Sequence, residues 1–408
     1  MQTRQNHQRN QFRVVLAFQG GGALGAYQAG VYQALHEHNL VPEWVVGTSI
    51  GAINAAIIAG NEPDKRLAQL QSFWDGIAQD DVFHGAQTSD WMQQFNVWHA
   101  MLRTLTFGVP GFFLTRPLNP FALGLAVQPE VAGFYDTSAL RETLNRLVDF
   151  NYINRKDSMR LTASAVRVTS GELANFDSAH STLNLEHIMA SCAIPPGFPA
   201  VRIDNQLYWD GGLYSNTPLE TVLDDEPRIN TLCFMVDLWC PTGEEPKTFG
   251  EVQTREKDVR FFSRSQRHIE AYREKHNLRR AVNALYNSLK ELGAPSPTLQ
   301  KLGALGCGTT MHVVRLMYPG HDWSMSTKDI NFSRGSIQWR WQQGLQDASL
   351  ALKQARWLNP VPANTGIIVH DLGHDENLVN IHDKKSQHDE KLNKKDSTGS
   401  RSKHNIPN

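Results

Sequence analysis

Two glycine-rich turns, each lying between an apolar stretch and a helical pattern, dominate the first 60 residues. Residues 13–19 form an apolar run of strand length, and Gly20-Gly21-Gly22-Ala23-Leu24-Gly25 follows it, before a helical repeat over 25–38. A second short strand, Trp44–Val46, leads through Gly47-Thr48-Ser49-Ile50-Gly51 into a helix of small residues. Strands that alternate with helices favour a parallel sheet covered on both faces. The sequence therefore predicts an α/β fold with a three-layer α/β/α core and a mostly parallel sheet.

The second turn has the spacing of a nucleophile elbow. In such a turn a serine lies between a strand and a helix on a strained backbone that exposes its hydroxyl oxygen, and flanking glycines make room for the bend. Gly47 and Gly51 are the predicted flanking glycines and Ser49 is the predicted nucleophile. The alternative interpretation is a glycine–serine turn in a Rossmann-like unit.

The first turn matches the dinucleotide-binding pattern literally, as Gly20-x-Gly22-x-x-Gly25. That pattern also needs an acid at the end of the next strand, but the only nearby acid, Glu43, precedes the strand. The other interpretation is an oxyanion hole, in which backbone N–H groups at a helix N-terminus stabilise a developing negative charge. The predicted donors are Gly21 and Gly22, within a loop bounded by Gly20 and Gly25.

A serine nucleophile also needs a base, and Asp210 is the predicted one. It ends an apolar strand, Leu207–Trp209, and is followed by Gly211 and Gly212. A carboxylate there would lie at the carboxyl edge of the sheet, as Ser49 does. Three other acids compete on the same grounds, namely Asp177, Asp204 and Asp237.

The remainder of the chain divides by composition. Residues 84–135 read as an irregular apolar insertion that either caps the site or packs on the core in the ordinary way. Further strands are predicted over 161–168, 173–177, 207–210 and 229–238. A mainly helical C-terminal extension over 241–360 follows, with a strand at Met311–Met317 and a helix at Ser336–Trp357. Residues 1–12 and 371–408 are polar and predicted to be flexible or disordered. The insertion is rich in aromatic residues: Trp91, Phe95, Trp98, Phe107, Phe112, Phe113, Phe121, Phe134 and Tyr135.

Residues 255–290 predict one long helix or two shorter ones with a basic surface. They contain ten basic and four acidic residues, a local charge of +6. Such a helix could lie peripherally on an anionic bilayer, or could present a solvated face over the core.

Charge and cysteine content exclude several classes. The net charge of −1 gives no overall basic surface for nucleic acid. The four cysteines have no metal-like spacing and suit a reducing compartment, so no metal is expected. No signal peptide is predicted, and the longest apolar helix pattern, residues 50–59, is too short to span a bilayer. We expect a cytoplasmic protein, with peripheral contact at the inner membrane face.

Four ordered motifs resemble those of the patatin-like phospholipases. They are the glycine loop, the serine turn, the segment Ala190–Pro199, and Tyr208–Gly212 followed by Asn216 and Pro218. The resemblance covers residues 13–240. Residues 241–360 are similar to a C-terminal extension of some bacterial members at Lys328, Asp329, Phe332, Ser333 and Ile337.

The resemblance implies a Ser–Asp dyad without histidine, in which Ser49 is the nucleophile, Asp210 its base and the glycine loop the oxyanion hole. No cofactor is implied. Many members carry Arg or Lys where this chain has Leu24, so a positive charge near the loop is missing.

The predicted function is that of a serine lipid acyl hydrolase of the phospholipase A or lysophospholipase type, acting on lipid at a membrane surface or aggregate. The alternatives are a carboxylesterase or lipase acting on another acyl ester, and a silent scaffold with the same fold. A histidine triad that recruits His312, His321 or His370 is the competing mechanism. The oligomeric state stays open.

Overall fold

The computed structural model describes residues 12–83, 89–116, 123–243, 245–293, 296–320, 328–362 and 365–372. The predicted polar N-terminus, apart from Phe12, and the predicted tail, apart from Asp371 and Leu372, lie outside these ranges. Those two residues end a strand, so the predicted start of the tail is slightly too early.

Twelve strands lie in the described part of the chain, and nine of them form one sheet. In chain order they are β1 (Arg13–Phe18), β2 (Trp44–Thr48), β3 (Gly108–Val109), β4 (Phe113–Thr115), β5 (Tyr135–Asp136), β6 (Arg160–Arg167), β7 (Leu173–Asp177), β8 (Val201–Ile203), β9 (Gln206–Asp210), β10 (Thr231–Asp237), β11 (Met311–Met317) and β12 (Ile367–Leu372).

The large sheet has the order β12-β11-β10-β1-β2-β6-β9-β8, and β7 also pairs with β6. The run from β12 to β6 is parallel throughout. Strands β7, β8 and β9 are antiparallel to their partners. The prediction of a mostly parallel sheet is confirmed.

Helices cover the sheet. They are α1 (Ala26–Glu37), α2 (Ile50–Ala59), α3 (Arg66–Ile77), α4 (Asp90–Phe107), α5 (Ser138–Leu147), α6 (Phe150–Ile153), α7 (Leu185–Ser191), α8 (Leu219–Leu223), α9 (Phe249–Glu291), α10 (Pro297–Gly303) and α11 (Arg334–Gln354). Within the described ranges, no helix combines the length and the apolar character that crossing a bilayer requires.

Both faces of the sheet are buried, as the apolar run in β1 predicts. Leu16 and Phe18 enter a large hydrophobic cluster with α1, α2 and α11. Val15 and Ala17 point the other way, into a second cluster with α8 and with Ile269 of α9. Successive side chains of a strand point to opposite faces, so a continuous apolar strand needs a helical layer on each side. The three-layer α/β/α core is confirmed.

The C-terminal region extends this core. Strand β11 matches its predicted bounds, and together β11 and β12 add two parallel strands beside β10. Residues 255–290 lie in one long helix, α9, which begins earlier than predicted, at a capping box formed by Thr248 and Glu251.

The insertion over 84–135 is more regular than predicted. It contains the 18-residue helix α4 and a small antiparallel sheet of β3, β4 and β5. The prediction of an irregular segment is wrong for α4, whose apolar residues recur at helical spacing.

We predict that Gly344→Ala destabilises the fold, because α1 and α11 cross with their backbones in contact. A Cβ at Gly344 would lie 2.0 Å from the carbonyl oxygen of Tyr27, and one at Gly30 would lie 1.9 Å from that of Trp341. The expected loss in the free energy of unfolding, measured with urea, is about 1–3 kcal/mol.

Gly76→Ala is the matched control, because a Cβ at this position of α3 meets no atom within 4 Å. It should stabilise the protein by about 0.5–1 kcal/mol through helix propensity. A Gly344→Ala protein as stable as the control would contradict the close helix crossing.

Candidate active site

Ser49 lies in a strained turn between β2 and α2. Its backbone angles are φ 58° and ψ −126°, and a positive φ is uncommon for any residue other than glycine. A Cβ at Gly47 would lie 2.3 Å from the carbonyl oxygen of Gly51, and one at Gly51 would lie 2.4 Å from that of Phe18. Neither position has room for a side chain. The turn therefore has the geometry of a nucleophile elbow.

A neighbouring segment holds this turn in place. The backbone N–H of Ser49 donates to the hydroxyl oxygen of Ser191 at 3.1 Å, and that hydroxyl donates to the carbonyl oxygen of Ser164 at 2.7 Å. The thiol of Cys192 donates to the carbonyl oxygen of Ser49 at 3.3 Å. The elbow is therefore tied to β6 and to the end of α7.

The strand register brings Asp210 to Ser49. Strand β2 ends with Thr48 opposite Ser164, and Asp210 of β9 lies opposite Ala165, the next residue of β6. Because β7 occupies the other edge of β6, β2 and β9 follow one another along the same edge. Ser49 comes directly after Thr48, so the serine and the carboxylate meet where the two strands end.

Asp210 is a buried carboxyl group whose pKa is affected by the neighbouring serine. It accepts a hydrogen bond at 2.7 Å from the N–H of Gly212, and the side chain of Ser49 lies within hydrogen-bonding range. Burial raises its pKa to about 7, although both of these interactions act in the opposite direction. A Cβ at Gly211 would lie 2.4 Å from the carbonyl oxygen of Ser164, so glycine is required after this carboxylate.

The competing acids lie elsewhere. Asp177 and Asp237 pair with Arg160 and Arg315 at 2.8 and 2.7 Å. Asp204 lies in the turn between β8 and β9. In the described part of the chain, none of the three lines the cavity that contains Ser49.

The glycine loop lies beside Ser49 and presents two backbone donors. The N–H of Gly20 donates to the carbonyl oxygen of Asn216 at 3.1 Å, so this amide is already engaged. The N–H groups of Gly21 and Gly22 make no hydrogen bond to any residue that the structure describes. Gly22 has φ +56°, and a Cβ there would lie 2.3 Å from the carbonyl oxygen of Asp329. Gly21 and Gly22 therefore remain the candidate oxyanion donors, whereas the N–H of Gly20 is already used in a hydrogen bond.

The other loop residues have packing roles. A Cβ at Gly25 would lie 2.6 Å from Cγ1 of Ile50, so this glycine lets the loop approach α2. Leu24 is fully buried in the hydrophobic core. The carbonyl oxygen of Gly20 accepts hydrogen bonds from the side chains of Asn216 and Trp239, both at 2.9 Å.

Ser49, Asp210 and the glycine loop open into a cavity of about 570 Å³. Its lining is largely apolar, and four parts of the chain supply it. The predicted cap segment contributes Phe112, Phe113 and Tyr135, the segment after α7 contributes Phe198, the segment after β10 contributes Trp239, and the C-terminal region contributes Lys257, Arg260, Phe261, Asp329 and Phe332.

The sequence did not connect Trp239 or the residues of the C-terminal region with the active site, although Asp329 and Phe332 belong to the family resemblance. Nothing in the spacing of Trp239, Lys257 or Asp329 relates them to Ser49. Asn216 was indicated only as part of a motif. Its position in the sequence, six residues after Asp210, was the only feature that could have indicated its contact with the glycine loop.

Two histidines of the competing triad, His312 and His370, are not at this site. His312 and His370 stack on each other in β11 and β12, with Nδ1 and Nε2 3.0 Å apart. His321 lies outside the described residues. Among the described residues, no histidine lines the cavity, and no three histidine, cysteine or acidic side chains meet in a group that could hold a metal ion.

Comparison with known families gives two matches along the chain. The model for the patatin-like phospholipases matches residues 16–223, and a second model, described as patatin phospholipase, matches residues 259–364.

Two named relatives share short segments. The chain is 31% identical over 96 residues to triacylglycerol lipase SDP1L of Arabidopsis thaliana, and 39% identical over 61 residues to triacylglycerol lipase ptl3 of Schizosaccharomyces pombe. These segments cover 24% and 15% of this chain, but only 11% and 13% of the relatives' own length.

Among solved structures, the chain is similar to VipD from Legionella pneumophila, with a TM-score of 0.38 and 13% identity over 84% of this chain and 67% of that one. It is also similar to the ExoU–SpcU complex of Pseudomonas aeruginosa, with a TM-score of 0.27 and 14% identity over 85% and 76%.

The raised pKa of Asp210 predicts a cost in stability that Asp210→Asn should remove. In the folded protein the carboxyl group stays protonated up to about pH 7, whereas in the unfolded chain it ionises at about pH 4. Between these values ionisation stabilises only the unfolded state, so folding stability falls as the pH rises through this window. The free energy of unfolding of Asp210→Asn should therefore exceed that of the wild type by up to about 4 kcal/mol above pH 7, and by little below pH 4.

Urea denaturation of both proteins across this pH range measures the difference. Asp177→Asn is the control with the opposite sign. The pKa of Asp177 is lowered despite burial, through hydrogen bonds from Arg160, Thr162 and Ala179, so its removal should destabilise the protein at neutral pH. A constant difference between wild type and Asp210→Asn at every pH would contradict the raised pKa.

Proposed function

The chain belongs to the patatin-like phospholipase family, and from this membership we propose that it is a serine acyl hydrolase that cleaves the ester bonds of lipids. One observation carries the proposal. A serine on a strained turn lies within hydrogen-bonding range of a buried carboxyl group with a pKa of about 7, and both line an apolar cavity.

In the first half of the reaction, Oγ of Ser49 attacks the ester carbonyl carbon while the carboxylate of Asp210 accepts the hydroxyl proton. The carbonyl oxygen becomes an oxyanion that accepts hydrogen bonds from the N–H groups of Gly21 and Gly22. When the tetrahedral intermediate collapses, the bond to the leaving alcohol breaks and Asp210 returns the proton to that alcohol. The acyl group remains esterified to Ser49.

In the second half, water takes the place of the alcohol. The water oxygen attacks the acyl carbon while Asp210 accepts a proton from the water. A second tetrahedral intermediate then forms in the same oxyanion site. Its collapse releases the fatty acid, and the proton passes back to Oγ of Ser49. Each step uses only the dyad, the glycine amides and water.

The environment of Asp210 supports its role as the base. An aspartate with a pKa near about 4 is too weakly basic to accept a serine proton efficiently at neutral pH. Burial brings the pKa of Asp210 to about 7, where the ionised form is still available and its affinity for a proton is higher. No histidine is required for this chemistry.

The cavity supports a lipid substrate. Its aromatic lining suits an acyl chain, and Lys257 and Arg260 lie on the same wall as Phe261. Leu24 is buried in the core, and both bases are already paired, Lys257 with Asp329 at 2.6 Å and Arg260 with Glu256. We favour a phospholipid or lysophospholipid because the matching family model is that of the patatin-like phospholipases. Triacylglycerol is the second candidate, because two relatives with short matching segments are named triacylglycerol lipases.

The four cysteines form no disulfide, which supports a reducing and hence cytoplasmic location. We propose that the protein works there on lipid surfaces without a cofactor.

Fatty-acid release from mixed phospholipid vesicles tests the function, with triacylglycerol emulsions in parallel. We expect wild-type protein to release fatty acid from the phospholipid, and Ser49→Ala to release none. Release from triacylglycerol alone would select the second candidate. Equal release by wild type and Ser49→Ala, or none from either lipid, would contradict a serine lipid hydrolase and favour a silent scaffold.

The dyad predicts non-additive kinetics. Ser49→Ala and Asp210→Asn should each lower kcat by about a thousandfold or more, and the double variant should lose little further, because the two residues act in one step. Steady-state hydrolysis of a soluble short-chain ester measures this without a lipid interface. Losses that multiply in the double variant would show that the two side chains act independently.

The pH profile should report the base. We expect kcat/KM for the soluble ester to rise through an apparent pKa of about 7 and then level off, because Asp210 must be ionised to accept the proton. A profile that is flat across this range would exclude Asp210 as the group whose ionisation limits the rate.

A further inference from the structure

Helix α4 is attached to the protein by its small and polar residues. Its buried positions are Asn96, Val97, Ala100 and Thr104. The side chain of Asn96 accepts hydrogen bonds from the N–H groups of Val82 and Phe83 at 3.0 and 2.9 Å. Thr104 accepts one from the side chain of Gln79 at 3.0 Å. The face that packs on the core is therefore the less apolar face of this helix.

The large apolar residues of α4 point to solvent. Trp91, Phe95, Trp98, Leu102 and Leu105, which we call the α4 stripe, are 39–59% exposed. At about 100° per residue they lie within an arc of about 80°, opposite the buried face, and extend for about 21 Å. The stripe contains no charged residue.

This arrangement is the reverse of an ordinary surface helix. Scattered exposed apolar residues are common, but a continuous row of large ones marks a surface that meets another apolar medium. Packing within the described part of the chain leaves two tryptophans and two leucines in one exposed row.

The stripe leads into the catalytic cavity. Leu105 belongs to the stripe and also lines the cavity that contains Ser49, next to Thr104. Ile194 and Leu213 line the same cavity and are themselves exposed. The exposed apolar surface and the acyl site are therefore continuous.

We propose that the α4 stripe is the surface through which the protein docks on a phospholipid bilayer, so that an acyl ester can pass from the bilayer into the cavity; this rests on the function proposed above. Tryptophan favours the interface between lipid and water, and leucine favours the acyl region beneath it. The stripe is continuous with the apolar cavity through Leu105, which suits an apolar medium that also delivers the substrate.

The basic helix α9 is the rival docking surface, and several of its bases are engaged within the protein. Arg255 donates to the carbonyl oxygen of Cys240, and Lys275 pairs with Asp224 at 2.8 Å. Arg280 donates to the hydroxyl oxygen of Thr310 at 2.8 Å. These contacts hold α9 against the core.

Vesicle binding distinguishes the two surfaces. The assay is co-sedimentation with phosphatidylcholine–phosphatidylglycerol vesicles in a Ser49→Ala background, which prevents hydrolysis. The double variant Trp98→Glu/Leu102→Glu should lower the affinity for these vesicles by about tenfold or more. Trp98→Phe/Leu102→Met, which keeps the stripe apolar, should bind like the parent.

Leu278→Glu/Leu285→Glu is the matched control, because these leucines are 67% and 64% exposed on α9. It should bind vesicles like the parent. A larger loss in this control than in the stripe variant would assign docking to α9 and overturn the proposal, as would unchanged binding by the stripe variant. So would a stripe variant that only converts a dimer to a monomer in light scattering, because the stripe would then bind a second copy.

Hydrolysis of a soluble short-chain ester separates docking from catalysis. With Ser49 restored, the stripe variant should keep the wild-type rate on this substrate, because neither Trp98 nor Leu102 lines the cavity. Stripe-dependent vesicle binding by a wild-type protein that hydrolyses no ester would uphold the docking surface and defeat the proposed function. Loss of both binding and soluble-ester hydrolysis in the stripe variant would attribute the effect to misfolding and overturn the proposal.

Discussion

A buried carboxyl group that pairs with no basic side chain in the described part of the chain, at the meeting point of two strand ends, is the feature on which the site depends. Asp210 lies on the edge of β6 one residue beyond the position where β2 finishes. It accepts a hydrogen bond from the N–H of Gly212 and interacts with the side chain of Ser49, and burial raises its pKa to about 7. An arginine beside it would stabilise the ionised form and lower this pKa, as Arg160 does for Asp177. The fold therefore accepts a cost in stability that a serine–aspartate dyad requires.

The rest of the structure keeps this site in register. The glycine loop is fixed from two sides, by Asn216 and Trp239 at Gly20 and by the backbone of Asp329 at Gly22. Asp329 in turn pairs with Lys257 of α9 at 2.6 Å. The second matching segment of the chain is thus part of the same unit as the first, since it forms one wall of the cavity and extends the sheet.

Local patterns predicted most strands of the large sheet, the turn at Ser49 and the strand-end position of Asp210, because each depends on a few neighbouring residues; β8, β12 and the small sheet of β3, β4 and β5 were not predicted. A buried strand needs an apolar run, and the elbow needs Gly47 and Gly51 around Ser49. The walls of the cavity depend on contacts between distant segments, such as that of Gly22 with Asp329, which no spacing reveals. In helix α4 the apolar pattern predicts the helix but not the face that is buried. Its large apolar residues recur at helical spacing, which normally indicates a core-facing side, but in this structure they face solvent.

The most direct test of the account is covalent labelling by a fluorophosphonate with a lipid-like chain. Peptide mass spectrometry identifies the labelled residue, and the labelling rate is measured as a function of pH. Such a probe reacts only with an activated serine. The account predicts one adduct, on Ser49, which forms faster as the pH rises through about 7 and is almost absent in Asp210→Asn. An adduct on another residue, or labelling of Ser49 at the same rate in Asp210→Asn, would contradict the serine–aspartate dyad.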